Sequence, residues 1–197
     1  MSETDPLPPS TFHERLVSVN RLDERGFDRW VFLRGMLFGS SDRWWGAGGK
    51  REGRHEGLDL RFYRAAGASL HHLNENTQVP AIFEGRVVRI IRDFLGQSVF
   101  VIHEAVARGQ NHLYTVYGHT TPQPNLRVGS MVAGGEVIGT IAAGRSVPCH
   151  LHVSVAWVPG TLPLDDLDWS TMADTRIVTL IDPLSVIKVP YSILEHL

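Results

Sequence analysis

The sequence contains one cysteine, Cys149, in 197 residues. A single thiol excludes an internal disulfide and any cysteine-built zinc finger. A metal in this protein therefore has to be held by histidine and carboxylate. Charge of one sign is also missing, because 19 Lys and Arg face 21 Asp and Glu for a net charge of −2, with no basic block. That balance lacks the electrostatic footprint of a partner such as nucleic acid or an anionic membrane. No stretch approaches the roughly 18 uninterrupted apolar residues of a transmembrane helix. The opening Met-Ser-Glu-Thr-Asp-Pro-Leu-Pro-Pro is acidic and proline-rich, where a secretory signal has a basic start and an apolar run, so no signal peptide is read. The remainder is ordinary for a globular chain, 43% hydrophobic and 20% charged, with length for one core and little room for a second. The excess is in histidine, ten of them set among 19 glycines and 11 prolines. Imidazole both ligates metals and carries protons near neutral pH, so function is sought there.

Along the chain, residues 1–10 read as a loose leader. Thr11-Phe12-His13-Glu14 has the form of a capping box, and Phe12, Leu16, Val19 and Leu22 recur at helical spacing up to Gly26. The pattern predicts an amphipathic helix of about four turns with a packing role. From Trp30 the texture changes to short β-branched and aromatic runs. Residues 30–33, 85–91, 98–102, 113–117, 136–141 and 150–155 all read as strands, which predicts an all-β fold, an antiparallel sandwich or barrel-like core with function on its loops and strand ends. Residues 61–78 and 159–175 are polar and aperiodic and are read as loops. Gly46-Ala47-Gly48-Gly49, after Trp44-Trp45, is a third irregular segment, and the two tryptophans are candidates for either a cleft wall or buried packing.

Three fragments carry the chemistry: His55-Glu56-Gly57-Leu58-Asp59, Tyr117-Gly118-His119 and His150-Leu151-His152. Gly57 and the strand-like residues after it disfavour a helix, and in a straight strand His55 and Asp59 would stand about 13 Å apart. They share a metal only if the chain curls at Gly57. His150 and His152 alternate on a strand, so they project from one face roughly 6–7 Å apart, as two ligands or as two solvent-facing residues. His119 alone reads equally as a satisfied polar residue. Hydrolytic zinc takes three histidine or carboxylate ligands and leaves a fourth position to water, and the combined fragments supply that number with two histidines to spare.

Taken together these fragments resemble the M23 family of zinc metallopeptidases, the lysostaphin type. Further landmarks follow in the family's order: Phe38-Gly39, Glu84-Gly85-Arg86-Val87, Val128-Gly129-Ser130-Met131-Val132 through Gly139, Gly144, and Asp182-Pro183. The resemblance spans roughly residues 36–187 and suggests a division into a leader with its helix, 1–35, and a peptidase domain, 36–197. It implies that His55, Asp59 and His152 bind one Zn2+ ion while His119 and His150 act beside it as catalytic residues, and that the core is a β-sheet of the duplicated hybrid motif type with a groove over the metal.

The activity so implied is zinc-dependent endopeptidase hydrolysis, with peptide as substrate in the cross-links or bridges of peptidoglycan in the bacterial cell wall. The division of acid and base between His119 and His150 stays open. Glu56 is read as an exposed neighbour and not as a zincin-type base, since position 59 is Asp and no helix is expected. His103 is read as structural, and His71 and His72 fall in the first loop, which is longer than the family usually shows. Such enzymes work outside the cytoplasm, an expectation that comes from the resemblance alone. Two other functions compete: a non-catalytic activator of wall hydrolases, and a histidine phosphocarrier of related fold.

Overall fold

The computed structural model describes residues 7–144 and 147–195; most of the acidic start of the leader, residues 1–6, lies outside them. In chain order the elements are α1 (Phe12–Val19), β1 (Phe27–Leu33), β2 (Leu58–Leu60), β3 (Phe62–Ala65), β4 (Leu70–His72), β5 (Gln78–Pro80), β6 (Gly85–Arg92), β7 (Gln97–Arg108), β8 (Asn111–Pro122), β9 (Met131–Val132), β10 (Val137–Ile141), β11 (Leu151–Pro159), α2 (Trp169–Ala173), β12 (Thr179–Ile181), α3 (Pro183–Ile187) and β13 (Tyr191–Leu194). The larger sheet runs β12-β11-β8-β7-β6-β9, with β2 added to β11, and β10 bridging β8 and β5. The smaller runs β13-β1-β3-β4. Among the described residues every strand pairing is antiparallel except β1 with β13, and neither sheet closes on itself. The chain is therefore the mostly-β protein that the strand count predicts.

Alternation of side chains distributes the large sheet over two cores. Leu58 and Leu60, Val99 and Val101, Leu113 and Tyr117, and Leu151, Val153, Val155 and Trp157 face a main core shared with Trp30, Phe32 and the helix residues Phe12 and Leu16. The intervening residues Phe100, Ile102, Tyr114, Val116, Ala156 and Val158 face a second cluster closed by Leu167, Met172 and Val178. Period-two geometry puts Asp59, Gly118 and His152 on this second face, beyond the end of the second cluster.

Three expectations need correction. The first helix has eight residues and about two turns. Thr11 offers no side-chain cap; Ser10 Oγ takes the Phe12 N–H at 3.1 Å instead. The helix ends early because Asn20 leaves it to bind β5, giving its amide to the Gln78 carbonyl at 2.9 Å and accepting the Gln78 N–H at 2.7 Å. Residues 61–78, expected as loop, contain β3 and β4. The latter is an edge strand exposed at all three residues, so it shows no hydrophobic alternation and is specified by pairing with β3. His71 and His72 sit on it, with His71 stacked on Tyr63. Residues 159–175 contain α2, whose N-cap Asp168 accepts the Thr171 N–H at 2.9 Å; it is short because it only has to cover the second cluster with Met172.

Candidate metal centre

Asp59, His152 and Gly118 lie side by side across three neighbouring strands, Asp59 opposite His152 on β2 and β11, and His152 opposite Gly118 on β11 and β8. The absent side chain of Gly118 matters, since a Cβ there would come within 3.2 Å of both the His152 Cβ and the Trp169 ring. His55 precedes β2, and the chain does curl between it and Asp59. Gly57 allows this by lack of bulk and not by an unusual φ: a Cβ would lie 2.1 Å from the Val153 carbonyl oxygen and 2.7 Å from His152 Nε2.

Three atoms able to ligate a metal converge. His55 Nε2 lies 3.1 Å from Asp59 Oδ1 and 3.1 Å from His152 Nδ1, and His152 Nδ1 lies 2.9 Å from Asp59 Oδ1. All three side chains are buried. The far side of each group is occupied. His55 Nδ1–H donates to the Leu37 carbonyl at 3.0 Å, and His152 Nε2–H donates to Ser154 Oγ at 2.8 Å. Asp59 Oδ2 accepts from Trp44 Nε1 at 2.7 Å and from Arg51 Nη2 at 3.3 Å. The Leu37 carbonyl, which can only accept, fixes the His55 tautomer, and with Ser154 Oγ as acceptor His152 likewise turns a lone pair toward Asp59 Oδ1. Three acceptors meeting in a buried point, with room for at most one shared proton, repel one another unless a cation joins them. A tetrahedral shell with bonds of about 2.0–2.1 Å sets neighbouring ligand atoms about 3.3 Å apart, within a few tenths of an ångström of the observed separations. The residues fit a divalent ion.

His119 and His150 border this cluster. His150 Nδ1–H donates to the Pro148 carbonyl at 2.8 Å, leaving Nε2 3.6 Å from Asp59 Oδ1, and its ring centroid is 4.7 Å from that of His119. Burial lowers the pKa of His150 to about 4 against the pull of Asp59, and burial lowers that of His152 to about 4 as well. Burial alone would raise the Asp59 carboxyl, but the positive charge that the neighbouring imidazoles of His55, His150 and His152 carry when protonated holds it well below the usual carboxylate range. Above the cluster opens a cavity of about 290 Å³ walled by Trp45, Phe94 and Trp169, with Glu56 and Arg51 at its side. Trp45 thus forms wall, whereas Trp44 anchors Asp59. Glu56 is half-buried and lines the cavity; the curl at Gly57 turns it inward from the exposed position expected of it.

His103 lies outside this constellation. Its ring is buried between the Glu84 carbonyl at 2.8 Å and Thr115 Oγ1 at 2.9 Å, a satisfied core histidine as expected. The sequence reading missed Asp93, Phe94, Ser154 and Trp169. Asp93-Phe94-Leu95-Gly96 does carry a turn signal, but nothing in it indicates that Asp93 meets His119, 26 positions on. Burial would raise the Asp93 carboxyl, yet contacts with His119 and Ser98 hold it far below its ordinary value.

An open two-sheet β protein with a buried His-Asp-His cluster on the floor of an aromatic cleft is the kind of scaffold on which metal-dependent hydrolases are built. The profile of peptidase family M23 matches residues 63–163, half of the chain, and the protein belongs to that family. The matched segment includes His119, His150 and His152 and begins after His55 and Asp59. Among solved structures, the catalytic domain of the antimicrobial peptidase lysostaphin from Staphylococcus simulans superposes with a TM-score of 0.50 at 20% identity, covering 85% of this chain and 96% of that one. The cbpa protein from L. salivarius REN gives 0.49 at 20% identity over 81% and 88%. No curated protein sequence matches the chain. Among the described residues no helix is long and apolar enough to cross a membrane.

Proposed function

We propose that the protein is a zinc-dependent endopeptidase that cleaves peptide bonds in the cross-links or bridges of peptidoglycan. The observation that carries this reading is the convergence of His55 Nε2, Asp59 Oδ1 and His152 Nδ1 beneath an open cleft that two further imidazoles border. With the wall as substrate, the protein works outside the cytoplasmic membrane.

When bound there, zinc supplies a Lewis acid that acidifies water and polarises a peptide carbonyl. The chain does the rest. His55, Asp59 and His152 hold the ion through atoms whose opposite sides are already tied, so little reorganisation is needed on binding. The aromatic walls receive an extended peptide and keep water away from the reacting bond. His150, kept neutral by burial, has Nε2 free to accept a proton, and His119 stands beside it. Between them these two imidazoles move a proton from the attacking water to the leaving amine and supply a donor where negative charge grows on the carbonyl oxygen.

Metal analysis of the purified protein, with digestion of intact peptidoglycan read by mass, tests the reading. One zinc per chain and released fragments that vanish with chelator and return with zinc are expected. His119→Ala and His150→Ala are expected to cut turnover by about 10²–10⁴ with zinc still bound. Loss of zinc stoichiometry in either variant refutes the division between ligands and catalysts, and chelator-insensitive digestion refutes the metal.

A further inference from the structure

We propose that Asp93 is the positioning residue of His119: it fixes both the backbone and the ring of that histidine so that Nδ1 is the protonated nitrogen and Nε2 faces the cleft. The inference rests on the reading of His119 as a group that handles protons in catalysis.

His119 is held in an uncommon conformation. Its φ is +62°, a left-handed value that costs a residue with a Cβ about 1–2 kcal/mol and persists only where neighbours impose it. Asp93 Oδ2 imposes it by accepting the His119 backbone N–H at 2.8 Å. Asp93 Oδ1 lies 3.1 Å from His119 Nδ1. The ring N–H points off the line to that oxygen and has no other partner among the described residues, so the contact acts through charge and proximity more than through an aligned hydrogen bond. From the other side the ring of Phe94, 67% exposed, packs on His119 with centroids 4.4 Å apart. Consecutive residues of one turn thus grip the imidazole from two directions.

A carboxylate that only capped this turn would need one oxygen and no burial. Asp93 Oδ1 does take the Leu95 and Gly96 N–H groups, at 2.9 and 2.7 Å. The side chain is nevertheless only 2% exposed, and Oδ2 has a second set of partners. Ser98 Oγ donates to it at 2.7 Å and itself accepts from Trp169 Nε1 at 2.9 Å. Trp169 also meets the His152 ring edge-on, at 5.0 Å between centroids. The Trp169-Ser98-Asp93-His119 chain therefore ties the cleft wall to the imidazole, and it sets the charge of a buried carboxylate directly against the His119 ring.

Two measurements on the zinc-loaded full chain decide the matter. In long-range proton–nitrogen correlation spectra, wild-type His119 is expected to be protonated at Nδ1, and Asp93→Ala is expected to shift it toward the Nε2–H form. In peptidoglycan digestion, Asp93→Ala is expected to lower kcat by about 10²–10³ with KM unchanged, by analogy with other carboxylates that set a histidine tautomer. The same change in a His119→Ala background is expected to cost nothing further. Wild-type His119 protonated at Nε2 overturns the proposal, and that reading needs no variant to fold. So does an Asp93→Ala variant with wild-type kcat while His119→Ala is inactive, or losses that multiply in the double variant. If His119→Ala itself retains full activity, the catalytic reading of His119 has failed, and the wild-type tautomer still decides whether Asp93 positions the ring.

Discussion

Replacing Gly57 with alanine adds one methyl group at the tightest point of the centre. The new Cβ would lie 2.1 Å from the Val153 carbonyl oxygen, 2.7 Å from His152 Nε2 and 2.8 Å from Ser154 Oγ. The first of these is backbone in the interior of β11 and cannot swing aside, so β2 and β11 must part by roughly 1 Å to restore van der Waals contact. They part at the pair His152 and Asp59, which face each other across those strands. Overpacking of this kind costs about 3 kcal/mol, which for a chain of this size lowers the melting temperature by about 6–12 °C. Ligand atoms have to stay within about 0.5 Å of their working positions, so the same displacement is expected to weaken zinc binding and to lower peptidoglycan digestion by about 10² or more. Thermal melts of the metal-free protein, zinc titration against a competing chelator, and the digestion assay measure the three effects. An alanine variant with wild-type melting temperature and wild-type zinc affinity would refute the view that this glycine exists to let the two strands close over the metal.

Two further predictions follow from the buried polar groups. Burial lowers His103 from 6.5 to about 4. Between those pH values the unfolded chain binds a proton that the folded one refuses, so stability is full above pH 6.5 and falls by about 3 kcal/mol as pH drops to 4. Denaturant midpoints at pH 7 and pH 4.5 should differ less in His103→Gln than in wild type, and equal differences would show that His103 is not held neutral by burial. Ser154→Ala removes the acceptor of His152 Nε2–H and is expected to weaken zinc affinity by 10- to 100-fold. Unchanged affinity in a chelator competition would mean that the hydroxyl does not set the tautomer of His152.

What the sequence determined by itself was whatever depends on short-range pattern. Runs of β-branched and aromatic residues specified β6, β7, β8 and β11, and in the last three the run is continuous because both faces of the strand are buried. The spacing of His150 and His152 specified that both would reach one side of a sheet. The three histidine-bearing fragments, with their ordered landmarks, identified the family. Tertiary structure alone decided the rest. The β4 edge strand has no pattern of its own and exists because β3 offers it hydrogen bonds. The α1 helix ends where Asn20 finds β5, 58 positions further along the chain. Gly57 was legible as a place where the chain bends, but its actual role, making room beneath His152, depends on a strand 96 residues away. Asp93 was unreadable for the same reason: a carboxylate becomes a partner of His119 only when a turn and a strand end are brought within 3.1 Å. Sequence encodes periodicity locally, whereas burial and electrostatic pairing are properties of distances that only the folded chain defines.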